Sequence, residues 1–179
     1  MTEPATTPSQ TVGPFLSIAL PWDDGPDLVT TGGLTVVGTV TDGAGQPVPD
    51  GLIELWQADP DGHFPHPADP QHTRFDGLRP FGRCPTDGQG GFRFRTVKPG
   101  RVDAAQAPHI NVTVFARGLL NHLVTRLYFP DERIANETDP ALQSLPRDVR
   151  DRLVAVVDGD RLRFDIVLQG ERETTFFTV

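Results

Sequence analysis

Beyond residue 33 the chain alternates apolar and polar side chains with a period of two over short runs, the pattern of strands with one buried face. Residues 34–40 are rich in β-branched side chains and stop at the turn Asp42-Gly43-Ala44-Gly45. Residues 52–56 follow Pro47 and Pro49 as a second strand. Residues 92–97 alternate until Lys98-Pro99-Gly100 ends them. In 109–115, His109, Asn111, Thr113 and Phe115 share one face, while Ile110, Val112 and Val114 share the other. Residues 123–129 and 162–168 complete the set. Between these two, Asp139-Pro140 and Pro146-Arg147-Asp148 read as helix starts, with proline at the first helical position and Val149, Leu153 and Val154 as an apolar face. Short strands separated by turns predict an all-β, antiparallel β-sandwich with a short helical insertion over residues 34–179.

Two segments stand outside this pattern. Residues 1–33 carry Pro8, Pro14 and Pro21, which disfavour helix, yet Val12, Phe15, Leu16, Ile18, Leu20 and Trp22 are too apolar for a disordered tail. An extended N-terminal arm lying across a surface, partly that of another chain, is the expectation. Residues 58–91 are rich in proline, glycine, aspartate and histidine and read as one long excursion, functional or covered by a partner.

Composition narrows the class. A chain of 179 residues suits one domain burying roughly 70% of its unfolded surface. Eighteen glycines and eighteen prolines favour a turn-rich β fold. The net charge of −8, without a basic stripe, argues against nucleic acid and against anionic membranes. No run approaches the roughly 20 apolar residues that span a bilayer, and residues 1–10 lack the features of a signal peptide, so a cytoplasmic protein is expected. A lone cysteine, Cys84, excludes an internal disulfide and reads as a small semi-buried side chain.

The candidate chemistry centres on Ala107-Pro108-His109-Ile110-Asn111. A His-x-His pair on a strand offers two imidazoles to one metal; here the second position is an amide, a poor ligand for a transition metal. Without partners, His109 is expected to be a hydrogen-bonded structural histidine. His63, His66 and His72 crowd one loop, but their spacing fits no ordinary structural zinc site, and a solvated loop is expected. Trp56 and Phe64 read as core or interface aromatics, and Arg126 and Arg163, mid-strand, as cross-strand partners of acids. Arg117, where a strand meets a loop, suits a salt bridge or interface anchor, or a bidentate grip on a carboxylate.

Several motifs carry a family resemblance: Val36-x-Gly38-x-Val40, Ile53-Glu54-Leu55-Trp56-Gln57-Ala58-Asp59, Gly62-His63-Phe64, Gly82-Arg83, residues 94–100, Ala107-Pro108-His109-Ile110-Asn111, Thr125-Arg126-Leu127-Tyr128-Phe129 and Arg163-Phe164-Asp165-Ile166. Together they resemble the intradiol ring-cleavage dioxygenases over nearly the whole chain. The resemblance implies a ferric site of two tyrosinates and two histidines. It puts Phe64 at the first tyrosine position, Arg101 or Val102 at the second, His109 at the first histidine and Asn111 at the second, with Gln106 where an arginine is expected. Only His109 is left, so no metal is expected in this chain and no catalytic residue of its own. Three stretches, Pro8 to Phe15, residues 107–111 with 115–118, and residues 169–177, are similar to the iron-free alpha chain found in one branch of the family. There the iron belongs to a homologous beta chain, and the substrates are 3,4-dihydroxybenzoate and O2. The resemblance then implies that Gly13 and Pro14 of the arm, with Arg117, wall the beta chain's substrate pocket. The alternative is a β-sandwich binding module with no enzymatic partner.

Overall fold

The structure is a computed structural model that describes residues 8–11, 13, 15–69 and 77–178. Nine strands form two facing sheets. The first contains β1 (Leu34–Thr41), β4 (Gly91–Thr96), β7 (Val156–Asp158), β8 (Arg161–Arg163) and β9 (Ile166–Val167), in the order β4-β1-β8-β7 with β9 also on β1. The second contains β2 (Leu52–Trp56), β3 (Phe81–Pro85), β5 (His109–Phe115) and β6 (Leu123–Tyr128), in the order β3-β2-β5-β6. Alternation sends Val36, Val40, Phe92, Phe94 and Ile166 inward from the first sheet, against Ile53, Leu55, Ile110, Val112, Val114 and Leu127 from the second. Phe94, Ile53, Ile110 and Ile166 are fully buried. The expected sandwich is therefore present, with the Ile110-Val112-Val114 face of β5 in its core.

The departures have local causes. Pairing is not uniformly antiparallel, because β8 and β9 run parallel to β1. The single strand expected over 162–168 is split at Phe164-Asp165. There the Asp165 carboxylate, rather than a backbone carbonyl, accepts the Thr39 N–H at 2.9 Å, which interrupts the ladder. Gly38 lies against that break, where a Cβ would stand 2.0 Å from the Phe164 carbonyl oxygen. The excursion over 58–91 contains β3, a strand hidden from sequence reading by Gly82 and Pro85.

Residues 21–30 lie on their own domain. Leu28 and Val29 are buried, Leu28 N–H donates to the Arg95 carbonyl and Arg83 N–H to the Gly25 carbonyl. This segment covers the free edges of β4 and β3 together. Upstream, α1 (Leu16–Ala19) forms one helical turn, and Phe15 and Ile18 are exposed. The helical insertion comprises α2 (Arg133–Asn136), α3 (Pro140–Gln143), α4 (Arg147–Arg150) and a 3₁₀ turn, Asp151–Leu153. α3 starts as expected, with Asp139 as N-cap and Pro140 first, whereas Pro146 is itself the N-cap residue of α4. Leu142 and Leu153 pack with Ala107, Tyr128 and Ala135 in a second, smaller core.

Candidate functional site

The outer face of the second sheet holds the positions at issue. In an antiparallel pair, residues directly opposite project to one side. Trp56 faces Asn111, which faces Arg126; one rung further, His109 faces Tyr128. Phe64, brought over by the loop after β2, stacks on Trp56 with ring centroids 5.6 Å apart and planes 4° from parallel. Of the two readings for Trp56, core or interface, the core one does not hold, because the ring stays 37% exposed. Phe64, Val102 and Trp56 line one cleft of about 540 Å³ with Gly62, His63, His66, Ala68 and Asp69.

Gly62 makes this loop possible. Its φ is +89°, and a Cβ there would meet the Arg101 carbonyl oxygen at 2.0 Å, so the loops carrying Phe64 and Val102 touch through backbone alone. The second loop is tied to itself. Arg101 Nε donates to the Gln106 carbonyl at 3.0 Å, Arg101 also donates to the Ala104 carbonyl, and Asp103 accepts from Ala105 N, Gln106 N and Gln106 Nε2. Arg101 therefore points into its own loop, and Val102 is the residue presented to the cleft.

His109 is 6% exposed, and its Nδ1 lies 2.8 Å from the Ala107 carbonyl oxygen. A carbonyl only accepts, so Nδ1 carries the proton. Burial depresses the imidazole pKa, the hydrogen bond to Ala107 opposing it and the Arg126 charge adding to it. Its ring sits 5.6 Å from the Tyr128 ring. Tyr128 is fully buried, and burial pushes its phenol up to about 12. The phenol donates to Asp139 Oδ1 at 3.2 Å. Arg126 corrects an expectation: among the described residues it has no ion pair with an acid. Its Nη1 donates to Gln106 Oε1 at 3.2 Å and to the Tyr128 oxygen at 3.4 Å, and its guanidinium carbon lies 5.8 Å from the Phe177 ring centroid. Arg163 does bind an acid, Asp165 at 2.8 Å, but along its own chain segment rather than across strands.

A ferric ion needs anionic oxygen or imidazole donors. Phe64 and Val102 present hydrocarbon, Asn111 a neutral amide, and His109 is turned by Nδ1 to its own backbone. This donor set does not fit iron. Among the described residues no three His, Cys, Asp or Glu side chains are grouped to hold a metal. His63 lies 3.9 Å from Asp69, His66 Nδ1 accepts from Ala68 N, and His72 lies outside the described residues.

The other candidates occupy a different corner. Gly118 N–H donates to Thr11 Oγ1 at 2.9 Å, so the arm near Gly13 sits beside the turn containing Arg117, at the far end of β5 from His109. Gly13 is exposed, with nothing within 4 Å of a Cβ built on it. Pro14 lies outside the described residues. Arg117 Nε is 2.8 Å from Asp50 Oδ2, and the arginine side chain remains 61% exposed. β5 spans seven residues, about 20 Å at the rise of a strand. Gly13 and Arg117 therefore share one region and Phe64, Val102, His109 and Asn111 another.

Two functional supports escaped sequence reading. Arg83 ion-pairs with Glu54, both largely buried, donates to the Leu20 carbonyl at 2.9 Å, and lies 5.2 Å from the Trp22 ring, fastening the arm. Asp139, read only as a helix cap, is fully buried and also accepts the Ala107 N–H at 2.9 Å, fixing the strand that leads into His109. Asp before Pro signals the cap; nothing local signals the distant bond.

Comparison with known proteins bears on the family and the fold. The Dioxygenase family model matches residues 23–170. The chain is 42% identical to the protocatechuate 3,4-dioxygenase alpha chain of Burkholderia cepacia over the full length of both, and 38% identical to the alpha chain of Pseudomonas putida over 96% of this chain and 95% of that one. It is 35% identical to the Burkholderia cepacia beta chain over 79% of this chain and 66% of that one. Among solved structures, the dioxygenase domain of a dioxygenase carbohydrate-binding protein fusion from Streptomyces sp. SirexAA-E superposes with a TM-score of 0.57 at 28% identity, covering 96% of this chain and 100% of that one. With the sandwich, its motif positions and a full-length match in agreement, the chain belongs to the intradiol ring-cleavage dioxygenase family.

Proposed function

We propose that this chain is the alpha subunit of a protocatechuate 3,4-dioxygenase and that the ferric site of the enzyme belongs to a homologous beta subunit. One observation carries the reading: hydrocarbon side chains and an amide stand at three of the four ligand positions, Phe64 spent in a stack on Trp56 and His109 on its own backbone. The full-length similarity to alpha chains, and the lower, partial similarity to a beta chain, support it. The assembled enzyme converts 3,4-dihydroxybenzoate and O2 to 3-carboxy-cis,cis-muconate, with the partner's iron supplying the redox chemistry. This chain supplies surface. Its arm, with Phe15 and Ile18 exposed, docks on the sister chain, and Gly13 and Pro14 wall the substrate pocket there. Arg117, released from Asp50, reaches a substrate carboxylate through its exposed side. Both subunits work in the cytoplasm.

Co-expression with a homologous iron-bearing chain tests this. The expected result is a co-purifying complex with one iron per pair of chains, a ferric-tyrosinate colour, and ring cleavage lost when the arm is removed. The chain purified alone should hold no stoichiometric iron. Full-rate cleavage by this chain alone would falsify the assignment.

A further inference from the structure

Where the helical insertion meets β7, the chain forms a cleft of about 520 Å³. That volume falls within the roughly 300–1,000 Å³ of small-molecule sites. Its apolar lining includes Pro130, Leu142, Val154 and Ala155, of which Leu142 and Ala155 are buried. Its charged walls are Arg133 from α2 and Arg147 and Arg150 from α4, with Glu137 and Asp151. Val154 bridges to Tyr128, and the Ala155 N–H donates to the Tyr128 carbonyl, so the cleft adjoins the His109 end of the second sheet.

The charges in this cleft are not neutralised by one another. Glu137 follows Arg133 by four residues and Asp151 follows Arg147 by four, a spacing at which helical neighbours can pair. Neither pair forms, and none of the three arginines makes an ion pair among the described residues. The nearby Asp148 carboxylate is directed to Arg152 instead, at 3.8 Å. Arg147 and Arg150, three apart on α4, lie on one face and repel each other. An anion seated among the arginines removes that conflict.

Net charge and lining set the class of anion. Three arginines against two acids leave a formal +1, which one negative charge cancels. A doubly charged phosphate would leave an excess beside Glu137 and Asp151. A guanidinium fork matches a carboxylate through two parallel hydrogen bonds. The apolar lining gives nothing to a bare ion but is covered by a ring. We infer that this cleft is a binding site for a monocarboxylate carried on an apolar ring, its charge among the arginines and its ring over Leu142, Val154 and Ala155. The substrate proposed for the assembled enzyme belongs to the same chemical class, but the assignment of the cleft rests on the cleft's own residues.

Equilibrium dialysis of radiolabelled benzoate against the full chain, with its partner where one co-purifies, tests the site. The wild type should hold one benzoate per copy of this chain more than the double variant Arg147→Gln/Arg150→Gln. Loss of the charge-assisted bonds should weaken that binding by about tenfold or more. Iron content and ring cleavage should be the same in both. Glu137→Gln raises the formal charge of the cleft to +2 and should tighten the binding severalfold, which a merely structural role of these residues would not produce. Acetate, which lacks the ring, and inorganic phosphate should each compete far more weakly than unlabelled benzoate. Equal benzoate binding by wild type and double variant, or acetate or phosphate competing as well as benzoate, overturns the site. Failure of the subunit assignment shows instead as absent iron and ring cleavage, whatever the benzoate result.

Discussion

Replacing Asp139 should disclose how the His109 end of the second sheet is held together. The carboxylate is fully buried and accepts four hydrogen bonds: Ala107 N at 2.9 Å, Ala141 N at 2.9 Å, Leu142 N at 3.0 Å and the Tyr128 phenol at 3.2 Å. Asp139→Ala deletes a helix cap, about 1 kcal/mol. It also leaves the Ala107 N–H and the phenol without acceptors, at about 1–3 kcal/mol for each buried donor. The interactions share one carboxylate and are not additive, so a total of about 3–5 kcal/mol is expected. For a domain of this size 1 kcal/mol is worth about 2–4 °C, so the midpoint of a thermal melt should fall by roughly 6–20 °C. Asp139→Asn keeps one carbonyl oxygen for the cap and should lose less than half as much. Tyr128→Phe should cost about 1 kcal/mol and should couple to Asp139→Asn in a double-mutant cycle. Urea and thermal unfolding of each variant at pH 7.5 measure all of these. A loss under about 1 kcal/mol for Asp139→Ala, below the value of the cap and one buried donor together, refutes the network.

Three further outcomes follow from named contacts. Arg83→Met strips a half-buried Glu54 of its partner, expected to cost about 1–3 kcal/mol; it also frees the Leu20 carbonyl, so limited proteolysis should cut the arm near residue 20 sooner. Gly62→Ala forces a side chain into a positive φ and against the Arg101 carbonyl; about 2–4 kcal/mol of stability should go, with a change in Trp56 emission as the Phe64 loop shifts. His109 gives a pH dependence. Burial lowers its folded pKa below the unfolded value of 6.5, so its contribution is complete above that value and is lost as pH falls through the window beneath it. The wild-type urea midpoint should drop between pH 7.5 and 5.5, and His109→Gln should flatten that drop; an identical profile in the variant counts against a buried neutral imidazole.

What the chain alone determined is what depends on neighbours in sequence. Alternation separated the two faces of β5, because a period of two fixes which side chains can share a core. Asp139-Pro140 announced a helix start, because cap chemistry is local. That Phe64 and Val102 cannot act as metal ligands was legible from the residues themselves, because hydrocarbon cannot ligate iron in any fold. Position in three dimensions was not legible. Only the folded sheet set Asn111 between Trp56 and Arg126, stacked Phe64 on Trp56 and turned Arg126 to Gln106 and Tyr128. Only the docked arm brought Gly13 to the turn of Arg117, at the opposite end of β5 from His109. Such pairings join residues tens of positions apart, and their energy comes from burial and hydrogen bonds that exist only once both sheets have closed over the core.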